Sequence, residues 1–127
     1  MKIALSLLTG LALAAVAAGP SLAADSSDCF RLSQMQGHTV ADAHTLYVGV
    51  SGRPDVYRIS MSGGCLAAKT DSDPLITRDF GGSDMVCKPI DLDLAIGGMG
   101  GVSHCIVSGI QKLTPAQLAA LPKKLKP

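Results

Sequence analysis

Beyond residue 24 the chain is written mostly in period two, the spacing at which successive side chains of a strand turn to opposite faces. In 44–50 this places Leu46, Val48 and Val50 on one face, and in 55–61 it groups Tyr57, Ile59 and Met61. Ser51-Gly52-Arg53-Pro54 lies between them; glycine tolerates positive φ and proline presets its own φ, so the link reads as a hairpin turn. A further alternation over 90–96 sets Ile90, Leu92, Leu94 and Ile96 against Asp91, Asp93 and Ala95, the pattern of a half-buried strand. The tract Gly97-Gly98-Met99-Gly100-Gly101 then supplies a flexible hairpin link to a strand over 102–110. Between Cys65 and Cys87 the residues are turn formers, with one short strand expected over 75–78.

The C-terminal end changes period. Thr114-Pro115-Ala116-Gln117 has an N-cap threonine, proline in the first helical position and glutamine three residues past the cap, a capping box opening a short helix through Leu121. Pro122 stops it, Leu118 and Leu121 are spaced to press one face onto the sheet, and Lys123, Lys124 and Lys126 form a solvated tail. The expected fold is mainly β: a small antiparallel sandwich or open barrel of about five or six strands with a short C-terminal helix.

The N-terminal end is different again. Lys2 leads into an apolar run over 3–18, then Gly19, Pro20 and small residues, which is the order of a secretory signal peptide. The run is about sixteen residues, shorter than the roughly twenty of a membrane-spanning helix, so no stable membrane insertion of the mature chain is expected. Cleavage after Ala23 or Ala24 would leave residues 25–127 as a single disulfide-stabilised β domain in the periplasm or secreted.

All four cysteines, Cys29, Cys65, Cys87 and Cys105, fall in that domain, and an exported chain meets oxidising conditions. Two disulfides are expected. Of the three connectivities the nested one, Cys29 with Cys105 and Cys65 with Cys87, is favoured because it joins the chain's ends and closes its middle, although spacing leaves all three open. Composition explains the need for such ties: there is no Trp, only 2 Tyr and 2 Phe, and a small aliphatic core remains once the leader is set aside.

Charge and absences narrow the chemistry. Without Lys2, ten basic side chains face ten Asp, so the mature chain lacks the basic excess of a nucleic-acid binder. It has no Glu and no Asn, which excludes a thermolysin-type zinc helix, an EF-hand loop and a Cys-His-Asn triad. There is no C-x-x-C pair, no G-x-S-x-G elbow and no phosphate loop after the glycine tract. Asp91 with Asp93, and Asp71 with Asp73, read as solvent-face and turn residues rather than as acid-base or calcium pairs. No catalytic residue and no cofactor is assigned.

Two chemistries remain. His38, His44 and His104 are the candidates for a metal-binding role, and four thiols could hold structural zinc, but ligand pairs spaced two to four apart are missing. The preferred reading is a noncatalytic structural or binding module for a protein, glycan or envelope component. Its candidate contacts are Tyr47, Arg53, Tyr57 and Arg58 on a strand edge or loop.

The order of these pieces resembles the domain of unknown function 6491 family, short exported bacterial proteins without an assigned activity. The features that carry the resemblance are Cys29-Phe30-Arg31, Arg53 through Tyr57-Arg58-Ile59, Cys65, Cys87, and a close in which Cys105-Ile106, Ile110 and Leu113 precede Thr114-Pro115. Gly63-Gly64-Cys65-Leu66 departs from it, since proline often follows that cysteine, and so does the longer glycine loop. The resemblance implies export and carries no site residue across.

Overall fold

The computed structural model describes residues 28–127, so the leader expected over 1–24 lies outside the described residues. Six strands form one antiparallel sheet curled into a half-barrel, in the order β2(Met35–Asp42), β3(Thr45–Val50), β4(Val56–Ser62), β8(Ser103–Lys112), β7(Leu92–Ile96), β5(Leu75–Asp79). Two-residue strands β1(Phe30–Arg31) and β6(Met85–Val86) pair with each other and carry Phe30 and Val86 into the concave side. The short helix α1(Pro115–Ala120) follows β8. No described helix is long and apolar enough to cross a membrane.

Alternation fixes the inner face. Leu46, Val48 and Val50 of β3 and Tyr57, Ile59 and Met61 of β4 all point into the core, as their period-two spacing requires. The β3–β4 hairpin closes through Val50 N–H donating to the Asp55 carbonyl at 3.2 Å, with Gly52 at φ +78° in the turn. Leu94 and Ile96 of β7 complete the wall, and Leu66, from the loop after β4, plugs it at 1 % exposure. Fully burying such a side chain stabilises by about 1.5–3 kcal/mol.

The disulfides correct the expected pairing. Cys29 joins Cys87 and Cys65 joins Cys105, a crossed pattern. The nested pattern treats the N-terminal segment as the partner of the last strand. Instead that segment folds beneath the sheet beside β6, while β8 lies in the middle of the sheet next to the loop that carries Cys65. Two disulfides are consistent with an extracytoplasmic protein.

Several elements differ from the alternation. Strand β2 is additional, and its polar sequence includes two register breaks, at Gln36/His38 and Val40/Asp42, which reset the two-residue period. Strand β7 begins only at Leu92: Pro89–Asp91 forms a 3-10 turn, which leaves Ile90 69 % exposed and takes Asp91 off the strand face it was to share with Asp93. Strand β8 extends to Lys112. The helix ends at Ala120 and buries no residue; Leu118 and Leu121 are half-buried, so it rests on the sheet's end rather than on the core. Its capping box is present, with Gln117 N–H donating to Thr114 Oγ1 at 3.2 Å and Thr114 N–H donating to Gln117 Oε1 at 2.9 Å.

Candidate binding trough on the outer sheet face

The two candidate chemistries read from sequence are dispersed by the fold. Tyr57 is fully buried: its ring lies 4.6 Å from that of Phe30, and its hydroxyl donates to the Cys29 carbonyl at 3.3 Å. Burial first, then the neighbouring Asp55 carboxylate, raises its pKa. It is therefore corrected from a surface contact to a core residue. Tyr47, half-buried, and exposed Arg58 meet as a cross-strand pair on the outer face. Arg53 lies in the β3–β4 turn, where its Nε sits 3.3 Å from an Asp55 carboxylate that Lys112 also approaches at 3.3 Å.

The histidines are likewise separated. His38 belongs to β2 opposite Val48, His44 to the β2–β3 turn, where its Nδ1 bonds the Gly63 carbonyl at 2.8 Å, and His104 to β8 opposite Ala95. Every cysteine is in a disulfide, and among the described residues no three His, Cys, Asp or Glu side chains converge to hold a metal ion. Asp91 is occupied locally by the backbone N–H groups of Cys87 and Lys88, at 3.0 and 2.9 Å.

What the fold assembles instead is a trough on the outer face of β5, β7 and β8. Its floor is β7, whose outward side chains are small: Asp93 and Ala95, followed by Gly97. Longer side chains of the flanking strands form the walls. Ile76 and His104 face each other over Ala95; one row further Arg78 pairs with Asp93, and Ile106 borders a cleft together with Asp93. Pro74 stops one end, where a Cβ added to Gly97 would meet the proline Cγ at 2.8 Å.

Two clefts follow this floor and share Asp93. One, of about 230 Å³, reaches Ile76, Ala95, Val102 and His104. The other, of about 390 Å³, is bordered by Phe80, Ile90 and Ile106. These three apolar side chains are 65, 69 and 71 % exposed, against almost complete burial of the residues beneath them. Ala95 is 4 % exposed although it faces outward, because the walls screen it.

Arg78 and Asp93 are cross-strand partners, yet among the described residues neither joins an ion pair or a side-chain hydrogen bond. The trough thus carries unspent donors and acceptors between two apolar ends. Sequence reading missed it because its walls come from strands that meet only through the β5–β7 pairing, across the excursion from Phe80 to Asp91. One local signal was present: Cys105-Ile106-Val107 is apolar on both faces of a strand whose inner face alone reaches the core. Comparison of the chain with models of known families, with curated proteins and with solved structures yields no match.

Proposed function

We propose that the chain is an exported, noncatalytic binding module for a protein, glycan or envelope component, and that the outer trough is the surface it uses. Periplasmic or secreted placement rests on the leader pattern of residues 1–24 and is supported by the two disulfides. The resemblance to the domain of unknown function 6491 family belongs to the same proposal. The observation that carries the binding role is the grouping of Phe80, Ile90 and Ile106 at 65–71 % exposure around one cleft. Scattered exposed apolar residues are ordinary, whereas a contiguous group rimmed by charge marks an interaction surface.

The test is saturable retention of an envelope fraction on the immobilised, disulfide-intact domain. Retention should weaken by about tenfold or more in the Phe80→Asp/Ile106→Asp variant, the loss expected when a central apolar contact is charged. Both substitutions are at exposed positions, so an unchanged thermal midpoint confirms the fold. Retention that is equal in the variant, or absent in the native domain, overturns the reading.

A further inference from the structure

We infer that Met99 is an oxidation site, whose thioether takes an oxygen atom from a hydroperoxide ahead of the other methionines among the described residues and without disturbing the fold. This modification is independent of the binding-module reading.

Met99 stands at the tip of the β7–β8 link, in a turn that the Gly101 N–H closes by donating to the Gly98 carbonyl at 3.0 Å. The base of the turn is held in place. Gly98 adopts φ +143°, and a Cβ there would meet Asp73 Oδ1 at 2.9 Å and Lys69 Nζ at 3.1 Å, so only glycine fits where the link packs against the loop after β4. Lys69 Nζ also donates to the Gly101 carbonyl at 3.4 Å. The tip, by contrast, is open. A Cβ added at Gly100 or Gly101 would meet nothing within 4 Å, and Met99 is 107 % exposed.

The other methionines among the described residues are shielded to different degrees. Met61 of β4 is 5 % exposed within the core, Met35 is half-buried against it, and Met85 of β6 is 37 % exposed. A thioether is an uncharged nucleophile, so access to its sulfur, not its protonation, sets the order of reaction. The sulfur lone pair attacks one peroxide oxygen, and the S–O bond forms as the O–O bond breaks. Sulfur is oxidised by two electrons and the peroxide is reduced by two. The proton of the transferred oxygen passes to the departing one, which leaves as water or an alcohol.

The product explains why the site matters to the fold. A sulfoxide is polar and accepts hydrogen bonds, so at Met61 the new oxygen would be buried among apolar side chains without a donor. At Met99 it enters water and displaces no contact. The exposed thioether therefore consumes oxidant that would otherwise reach sulfurs on which the fold depends.

The test is titration of the disulfide-intact domain with a single equivalent of hydrogen peroxide, with the sulfoxide at each methionine followed by peptide mass spectrometry. Met99 should oxidise fastest, and Met61 at least about tenfold more slowly, because its sulfur is reached only through local opening. The thermal midpoint should be the same before and after oxidation of Met99. In urea the four methionines should react alike. Met99→Leu should remove the fastest phase, leave the midpoint unchanged and pass the first oxidation to Met85. Oxidation of Met35, Met61 or Met85 as fast as Met99, a midpoint lowered by the Met99 sulfoxide, or the same order of rates in urea overturns the inference.

Discussion

Asp91 and Asp84 act on the fold by accepting hydrogen bonds rather than through chemistry. The Cys87 and Lys88 N–H groups hold the Asp91 carboxyl below its ordinary range; for Asp84 the Ser33 hydroxyl, donating at 2.7 Å, is the main cause, followed by the Ser33 N–H at 3.0 Å. A carboxyl lowered in the folded state stabilises it above the unfolded value of about 3.9, and this contribution is lost as pH falls through the lowered value. The thermal midpoint of the native domain should therefore drop more steeply below about pH 4 than that of Asp84→Asn/Asp91→Asn, which should be the less stable of the two at neutral pH. Calorimetry across that range checks both statements. His38 gives the opposite expectation. Its Nε2 is buried without a hydrogen-bond partner among the described residues, so His38→Leu removes a desolvation cost and should leave stability unchanged or raise it by about 1 kcal/mol. A loss of more than that in urea unfolding would mean that the imidazole makes a bond essential to β2.

Helix α1 is well capped but buries nothing, so its cap stabilises the element more than the molecule. Thr114→Ala should cost about 1 kcal/mol locally. Hydrogen exchange at the Leu118 and Leu121 amides should quicken while the global midpoint hardly moves; a large fall in the midpoint would show that α1 is coupled to the half-barrel. The same contrast between local and distant causes decides which elements could be read from sequence. Strands β3 and β4 were legible because Leu46, Val48, Val50 and Tyr57, Ile59, Met61 alternate without interruption and face the core directly. Strand β2 was not, since its two bulges break the period and Thr39, a polar residue, is among its buried positions. Strands β1 and β6 are two residues each and follow from the Cys29–Cys87 tie, a contact across 58 residues. Ile90 illustrates the reverse error: its place in the alternation is real, but Pro89 and the Asp91 side chain impose a turn that lifts it out of the sheet. Of the trough, the small-residue floor at Asp93, Ala95 and Gly97 and the doubly apolar Cys105-Ile106-Val107 were visible but not their assembly, because the walls depend on strand pairing distant in sequence.

At the scale of the whole molecule the crossed disulfides turn a half-barrel with two exposed edge strands into one body. Cys29–Cys87 fastens the β1–β6 pair that fills the concave face, and Cys65–Cys105 fastens the Leu66 loop to the central strand β8. The closed loops span 58 and 40 residues, for which chain entropy gives each bridge about 4 kcal/mol before strain and overlap reduce it. That is a large share of the roughly 5–15 kcal/mol by which typical domains are stable. Either double variant, Cys29→Ala/Cys87→Ala or Cys65→Ala/Cys105→Ala, should therefore unfold at clearly lower denaturant concentration than the native domain. The two losses should also differ in kind. Without Cys65–Cys105 the buried Leu66 loses its anchor and the unfolding transition weakens as a whole, whereas without Cys29–Cys87 the Phe30–Val86 layer loosens first and apolar dye binding appears before the sheet melts. The pairing itself is checked independently by cyanogen bromide cleavage without reductant, which cuts after Met35, Met61, Met85 and Met99 and leaves each cysteine in its own fragment. The fragment ending at Met35 should emerge joined to 86–99, and 62–85 joined to 100–127. A Cys29 peptide joined to the Cys105 peptide would require the N-terminal segment to leave β6 and cross to the central strand, which is incompatible with Phe30 and Val86 as adjacent core residues.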